Sequence, residues 1–365
     1  MEKINSVRGM NDLLPGRSDV WYRVESAIRE VVNSYGYREI RTPLLERTEL
    51  FKRSIGEQTD IVEKEMYTFD DISGDSLTLR PEATAACVRA GIEHGFLHNQ
   101  HHRLWYMGPM FRRERPQKGR YRQFQQFGIE ALGWSGPDID AEIMMVGTRL
   151  WQQLGLSRLT LEINTLGDPE ARGLYREALK SYLDRHRDDL DPDSQRRLDR
   201  NPLRILDSKV PQTRQILAEA PDLLSFIDGQ SKDDFSLLQT ILSENGIEFE
   251  VNSRLVRGLD YYTGPVFEWT TDLLGAQNAV CAGGRYDGLV LQLGGQPVPA
   301  AGFACGVERL VEVYENIAGS TVINQPDVWV CVIGSHTMSY ALKTAEKLRD
   351  TGIHTVVNCG GGAVK

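Results

Sequence analysis

The sequence predicts an α+β fold: two strand-rich blocks separated by a helical insertion, with a strand–helix–strand unit at the C-terminal end. Three patterns lead there. Residues 103–133 form two alternating arms around a polar centre, the pattern of a long hairpin. Residues 168–250 break into short helical segments punctuated by Pro169, Pro192, Pro202, Pro211 and Pro221, with alternating charge between them. From Asp327 the chain reads strand (VWVCVIG), helix (Met338, Ala341, Leu342, Ala345, Leu348) and strand (HTVVN), the opening of a parallel α/β unit.

The first helix is expected over 18–35, because Val20, Val24, Ala27, Ile28, Val31 and Val32 recur at helical spacing. Ser18 suits its N-cap and Gly36 its stop. Tyr37–Thr42 is a short extended segment that runs into Pro43, and a second helix is expected over 83–93, entered from Arg80-Pro81-Glu82. The hairpin arms are RLWYMGPMFRRE and QFQQFGIEALG, joined through RPQKGRYR with Gly119 at the turn. Strand patterns return at Phe249–Leu255 and Val266–Thr271. In GFACGVERLVEVY, the stripe Val307, Leu310, Val311, Tyr314 makes a helix after a Gly302–Ala304 strand. The closing α/β segment, at about 40 residues, is short for an independent domain. The chain is therefore expected to end partway through its last domain, at Gly360–Lys365.

The 365 residues are 41% hydrophobic and 25% charged, which sets aside disordered, collagen-like and coiled-coil classes. No apolar run approaches the roughly 20 residues that span a bilayer. The N-terminus, MEKINSVRGMND, lacks the apolar centre of a signal peptide. A cytoplasmic protein with no membrane partner is expected. The five cysteines are scattered and include no C-x-x-C pair, which fits neither a disulfide framework nor a zinc site. A net charge of −9 argues against nonspecific coating of nucleic acid. One basic segment stands out, RRERPQKGRYR from Arg112 to Arg122, with Glu114 as its single acid. It would favour one docking geometry over general adhesion.

Side-chain parity points to a site. On the second hairpin arm Phe124, Gln126, Gly128 and Glu130 share one face, while Phe127, Ile129 and Ala131 share the other. On the first arm Arg112 and Glu114 share a face. The apolar set must face the core, so the polar face is either the floor of a polar pocket or a solvated sheet face of the kind antiparallel sheets commonly have. Glu308 and Arg309 lie off the apolar stripe of their helix, near its N-terminus, where a cation opposes the helix dipole and a bound anion would relieve it; an exposed arginine on a helix side is the alternative. His94, His98, His101 and His102 cluster, but no further ligand follows at metal spacing, and packing of a helix end against the hairpin is the expectation. Gly360–Lys365 lacks phosphate-loop spacing, and neither G-x-G-x-x-G after a strand nor G-x-S-x-G is present.

Seven strings resemble one family: RGMNDLLP, RTPLLE, TLRPEATA, FRRERPQKGRYRQFQQFGIE, RGLDYYTGPVFEW, AGGRYDGLV and GFACGVERL. Together, from about residue 4 onward, they are similar to bacterial-type histidyl-tRNA synthetases, which are class II aminoacyl-tRNA synthetases. The resemblance implies a class II antiparallel sheet flanked by helices, a helical insertion, and a C-terminal α/β anticodon-binding domain that is incomplete in this chain. The implied domains are a catalytic domain over 1–168 and 251–320, an insertion over 169–250, and the start of the anticodon-binding domain over 326–365.

The implied reaction joins L-histidine to ATP, with Mg2+, and passes the histidyl group to tRNA(His). By resemblance, Arg112 and Arg257 are catalytic and hold the α-phosphate and the histidine carboxylate. Arg309 holds the γ-phosphate and Arg120 the outer phosphates, while Glu114 and Phe124 receive the adenine. Glu82, Thr84 and Gln126 surround the α-amino group; Glu130 and Tyr262 meet the imidazole, and Tyr261 lines the same pocket. Gln117 and Lys118 contact the tRNA acceptor end. A homodimer is implied, with Tyr37–Leu45 in its interface. The family's RPEGTA is RPEATA here, with Ala83 in place of glycine. The other reading the resemblance allows is a catalytically inactive, synthetase-like regulatory subunit of histidine biosynthesis. Such paralogues lack the anticodon domain and erode the catalytic strings that are intact here.

Overall fold

A computed structural model describes residues 3–57, 59–275, 278–319 and 325–359. Two compact units result, residues 1–13 with 21–319, and residues 14–20 with 320–365.

The chain begins with Arg17–Ser34 (α1), whose Val24, Ile28, Val31 and Val32 are buried as the spacing requires. Gly36 reverses the chain at φ 76°, a left-handed conformation that glycine adopts without strain. Arg38–Glu39 (β1) follows, then Leu45–Arg47 (β2), Thr48–Ile55 (α2), Tyr67–Asp70 (β3) and Ser76–Leu79 (β4). Strands β2, β4 and β3 make a small antiparallel sheet. Thr84–Glu93 (α3) leads into the hairpin of His102–Phe111 (β5) and Gln123–Leu132 (β6), and Pro137–Gln153 (α4) and Thr160–Thr165 (β7) come next.

The prolines of the middle segment start helices. Pro169–Asp184 (α5), Pro192–Leu198 (α6) and Pro211–Ala218 (α7) each open on proline, where the missing N–H is no loss. Asp168 and Asp191 cap the first two by accepting backbone amides. Gly229–Glu244 (α8) completes the segment. Its helices are not packed apart from the rest: Tyr175, Leu179 and Leu183 of α5 share one apolar cluster with Leu255, Val256, Tyr261 and Tyr262.

The second strand-rich block contributes Glu250–Val251 (β8), Thr263–Thr270 (β9), Ala279–Arg285 (β10), Leu289–Gln292 (α9), Ala300–Gly306 (β11) and Val307–Ala318 (α10). The strand expected over Phe249–Leu255 is only two residues long. Asn252 stops it, accepting Arg254 N on its side chain and Leu255 N on its carbonyl to close a turn.

Among the described residues, eight strands form one sheet in the order β1-β5-β6-β11-β10-β9-β7-β8. It is antiparallel except where β1 meets β5 and β8 meets β7. One face is apolar: beside the buried Ile129, Phe127, Phe267, Trp269 and Phe303 interlock edge to face, and Trp151 of α4 packs on Trp269 at 5.7 Å between centroids. Arg285 fastens α4 to β10. Its guanidinium donates to Asp140 and to the carbonyls of Trp134 and Gly136, and burial lifts Asp140 to about 6 although the arginine opposes the shift.

In the second unit, Val328–Val330 (β12) pairs in parallel with Thr355–Val357 (β13) around Met338–Asp350 (α11). Ala341 and Ala345 are buried, but Leu342 is 41% exposed, so the helix's apolar stripe is narrower than expected. Gly360–Lys365 lies outside the described residues. No described helix is long and apolar enough to cross a membrane.

Candidate active site

The second face of the large sheet carries the site. Register places Tyr106, Gly128, Ala304, Ala282 and Glu268 in one row across β5, β6, β11, β10 and β9. The next row runs Leu104, Glu130, Gly302, Gly284 and Val266. Small residues at the centre of both rows leave a hollow. Two glycines are required there by space alone: a methyl at Gly302 would overlap the Glu130 carboxylate, and one at Gly128 would overlap the Tyr106 ring. The polar face is not solvated, since Gln126 is 7% exposed and Glu130 only 1%.

Glu130 lies just beneath the hollow, its two carboxylate oxygens engaged by different donors. Thr84 donates its hydroxyl to one at 2.7 Å, and the Tyr286 hydroxyl donates to the other. Burial pushes the Glu130 carboxyl up to about 8, against those two hydrogen bonds, and nearby Glu82 adds to the rise. Glu82 accepts the backbone amides of Thr84 and Ala85, so it caps α3 as well as facing the hollow. Ala83 between them is buried at φ −119°, a conformation open to alanine.

A sign follows for Glu130. A carboxyl whose folded pKa is near 8 and unfolded pKa near 4.5 holds a proton in the native state that the unfolded chain has released. Its contribution is full below pH about 4.5 and is lost as pH rises to about 8. Glu130→Gln cannot ionise, so its melting temperature relative to wild type should rise steadily from pH 5 to pH 8. Thermal melts across that range check it; a pH-independent difference would show that Glu130 is ionised in the native protein throughout.

Arg112 and Glu114 sit beyond the hairpin strand, which ends at Phe111; past it the arms still meet at Arg112 N to Arg122 O and at the Gln117–Arg120 bridge. The Arg112 guanidinium donates to Pro81 O at 2.9 Å and lies 5.3 Å over the Phe124 ring. Glu114 is buried and pairs with Arg120. Arg309 reaches back from the start of α10 to the carbonyls of Gly119 and Ala279, which clasps the hairpin turn and holds the guanidinium at the cavity wall. Arg257 pairs with Glu268, while its Nε is buried without a partner among the described residues. Tyr261 and Tyr262 pack on one another at 4.7 Å, and both contact Tyr286. Burial pushes Tyr262 up to about 12 despite the neighbouring Arg257.

These side chains enclose a cavity of about 280 Å³. Arg112, Arg120, Arg257 and Arg309 line it with Glu82, Thr84, Glu114, Gln126, Tyr261 and Tyr262. Four of the sequence-predicted residues do not. Glu130 lies against the wall, hydrogen-bonded to Thr84, and Phe124 lies under Arg112, while Lys118 pairs with Glu312 at 2.7 Å and Gln117 bridges Arg120 within the turn. A wider cleft of about 1010 Å³ lies further along the same sheet face, past Glu268, and holds none of the predicted residues. The histidines pack at the hairpin's base, His102 against Phe96 and His101 against Trp134.

Sequence reasoning missed Tyr286, Glu268, Asp60 and Glu65. Tyr286 lies past the end of β10, where parity gives no signal, and Glu268 reads as a solvated strand residue. Asp60 and Glu65 reach the cavity from the two ends of a single π-helical turn, Ile61–Glu65 and its N-cap, which is too short to show a periodic pattern.

A family model described as histidyl-tRNA synthetase matches residues 9–310. The crystal structure of apo S. aureus histidyl-tRNA synthetase is 37% identical, with a TM-score of 0.79, over 98% of this chain and 85% of that one. Two more distant structures share the fold. A Bacillus halodurans protein described as an ATP phosphoribosyltransferase regulatory subunit/histidyl-tRNA synthetase is 23% identical with a TM-score of 0.70, over 100% of this chain and 95% of that one. The histidyl-tRNA synthetase from Nostoc sp. PCC 7120 is 20% identical with a TM-score of 0.71, over 99% and 87%. A polar hollow on an antiparallel sheet, ringed by arginines from separate elements, together with a family match over most of the length, leads to one assignment: the chain belongs to the histidyl-tRNA synthetase family of class II aminoacyl-tRNA synthetases.

Proposed function

We propose that the protein is a histidine–tRNA ligase, which activates L-histidine with ATP and transfers the histidyl group to tRNA(His). The observation that carries this reading is the convergence of Arg112, Arg257 and Arg309 on one small cavity backed by the buried Glu130. Attack of a carboxylate on the α-phosphate builds negative charge around phosphorus, and fixed cations lower that barrier by positioning and electrostatics. Arg112 and Arg257 hold the α-phosphate and substrate carboxylate, and Arg120 and Arg309 hold the outer phosphates. Phe124, already stacked under Arg112, and Glu114 receive the adenine.

Glu82, Thr84 and Gln126 position the α-amino group. Tyr262 and Glu130 meet the imidazole, and Tyr261 closes the same wall. Even protonated, a carboxyl keeps lone pairs beside its O–H, so Glu130 retains acceptor capacity beyond Thr84 and Tyr286. Mg2+ enters with ATP as its counter-ion. That fits a cavity whose phosphate end presents arginines, and no group of three His, Cys, Asp or Glu suited to a metal occurs among the described residues. Gln117 and Lys118, on the turn between the hairpin strands, meet the acceptor end of the tRNA. The protein works in the cytoplasm as a homodimer, with the exposed Leu44 and Leu45 covered by a second copy.

Histidine-dependent exchange of pyrophosphate into ATP, followed by charging of tRNA(His), tests the reading. Exchange that requires histidine and no other amino acid is the expected result. Histidine binding with no exchange would overturn it and favour the regulatory role instead.

A further inference from the structure

A second cavity, of about 260 Å³, opens between α5, the turn Pro202–Ile205 and the Arg257–Asp260 loop. Five arginines line it, Arg172, Arg176, Arg200, Arg204 and Arg257, against one carboxylate, Asp260. Part of that charge is answered. Arg257 pairs with Glu268 and Arg200 with Glu63, and Arg176 lies 3.9 Å from Glu177. Asp260 accepts from Asn201 at 3.2 Å and feels Arg172, Arg204 and Arg176 together, one carboxylate shared among several guanidinium groups.

The two inner arginines are different. Among the described residues, Arg172 donates to the carbonyls of Asp260 and Tyr262. Arg204 has no ion-pair partner among the described residues, and its guanidinium lies over Gly258, where a side chain would block it. Burial lowers the Arg204 pKa, with Asp207 the leading opposing influence and Asp60 and Asp260 acting the same way. Arg257 adds its unpartnered buried Nε. Cations withdrawn from water without a matching anion are costly, and guanidinium groups match phosphate oxygens geometrically.

We infer that this cavity binds a phosphate group, held by Arg204 and Arg172 and steered by the exposed Arg176 and Arg200. The group comes either from free pyrophosphate or from the backbone of a nucleic-acid end. The cavity shares Arg204, Arg257 and Leu259 with the first one, so a phosphate here lies next to the cavity assigned to the reaction but outside it. The inference holds whether or not the protein charges tRNA.

Calorimetric titration of the full chain with inorganic pyrophosphate tests it, comparing wild type, Arg204→Gln and the surface pair Arg176→Gln/Arg200→Gln. Arg309→Gln marks the first cavity. Loss of a charge-assisted contact is worth about tenfold in affinity. One class of sites should weaken at least that much in Arg204→Gln, and less in the surface pair, while surviving in Arg309→Gln. Pyrophosphate affinity within twofold of wild type in both the Arg204 variant and the surface pair would overturn the site. So would a tungstate-soaked crystal with no anion between Arg172 and Arg204. Competition with a short CCA-ended acceptor-stem RNA separates the sources: displacement from the Arg204-dependent site identifies a nucleic-acid phosphate, and retention identifies free pyrophosphate.

Discussion

Arg257→Ala should slow histidyl-adenylate formation by about 10²–10³, the usual loss when one preorganised donor to developing charge is removed. The side chain is fixed for such a task. One end is anchored by Glu268, the guanidinium carbon lies 5.9 Å from the Tyr262 ring, and Nε is left without a partner among the described residues. The anchor complicates the variant, because truncation strands the largely buried Glu268 carboxylate and lowers thermal stability as well. Arg257→Lys keeps the charge but not the planar fork, and should recover stability more than rate. Single-turnover adenylation at saturating histidine and ATP separates the two effects. A rate within a few-fold of wild type in the alanine variant would remove Arg257 from the chemistry.

Glu130→Ala should abolish the choice of amino acid. A site built to accept a substrate N–H rejects analogues lacking it by about 10⁴–10⁵, because its polar groups are stranded when the wrong ligand enters. Here the stranding is visible in advance: without Glu130, the buried hydroxyls of Thr84 and Tyr286 lose their acceptor. The Michaelis constant for histidine should rise steeply while that for ATP stays within a few-fold. Equal changes in both constants would mean that Glu130 only supports the sheet. Glu130→Gln, which keeps the side-chain volume and an acceptor oxygen for one of the two hydroxyls, guards against mistaking a folding defect for a binding defect.

Much of the molecule is legible in its residues, and the boundary of legibility has physical causes. Period-two alternation separates Phe127, Ile129 and Ala131 from Gln126 and Glu130, and the sheet keeps them on opposite faces. Helical spacing finds the buried stripes of α1 and α10. What alternation cannot say is whether a polar face meets water; that depends on which elements fold over it, and here α3, the hairpin turn and the Arg257–Tyr262 loop do so. Roles carried by irregular backbone are equally silent. Tyr286 supports Glu130 from beyond a strand end, and Arg309 is steered to the cavity by two backbone carbonyls that no side-chain pattern announces. Asn252 shortens a strand that the pattern extends, because its side chain offers the backbone a turn.

The order of strands has a further consequence for how the protein comes into being. The floor of the hollow is closed by pairing β6 with β11, so Gly128 waits for Ala304 and Glu130 for Gly302. All of the intervening helices are synthesised before that partner exists. Until then β6 presents an open edge with a polar face on one side and Phe127 and Ile129 on the other, the kind of surface that invites wrong pairings. Contacts so distant in sequence also form slowly, since the chain must pay for closing a long loop before the contact rewards it. Synthesis of this protein should therefore pass through a long-lived half-formed sheet, in which the amino-acid pocket is the last part to become real.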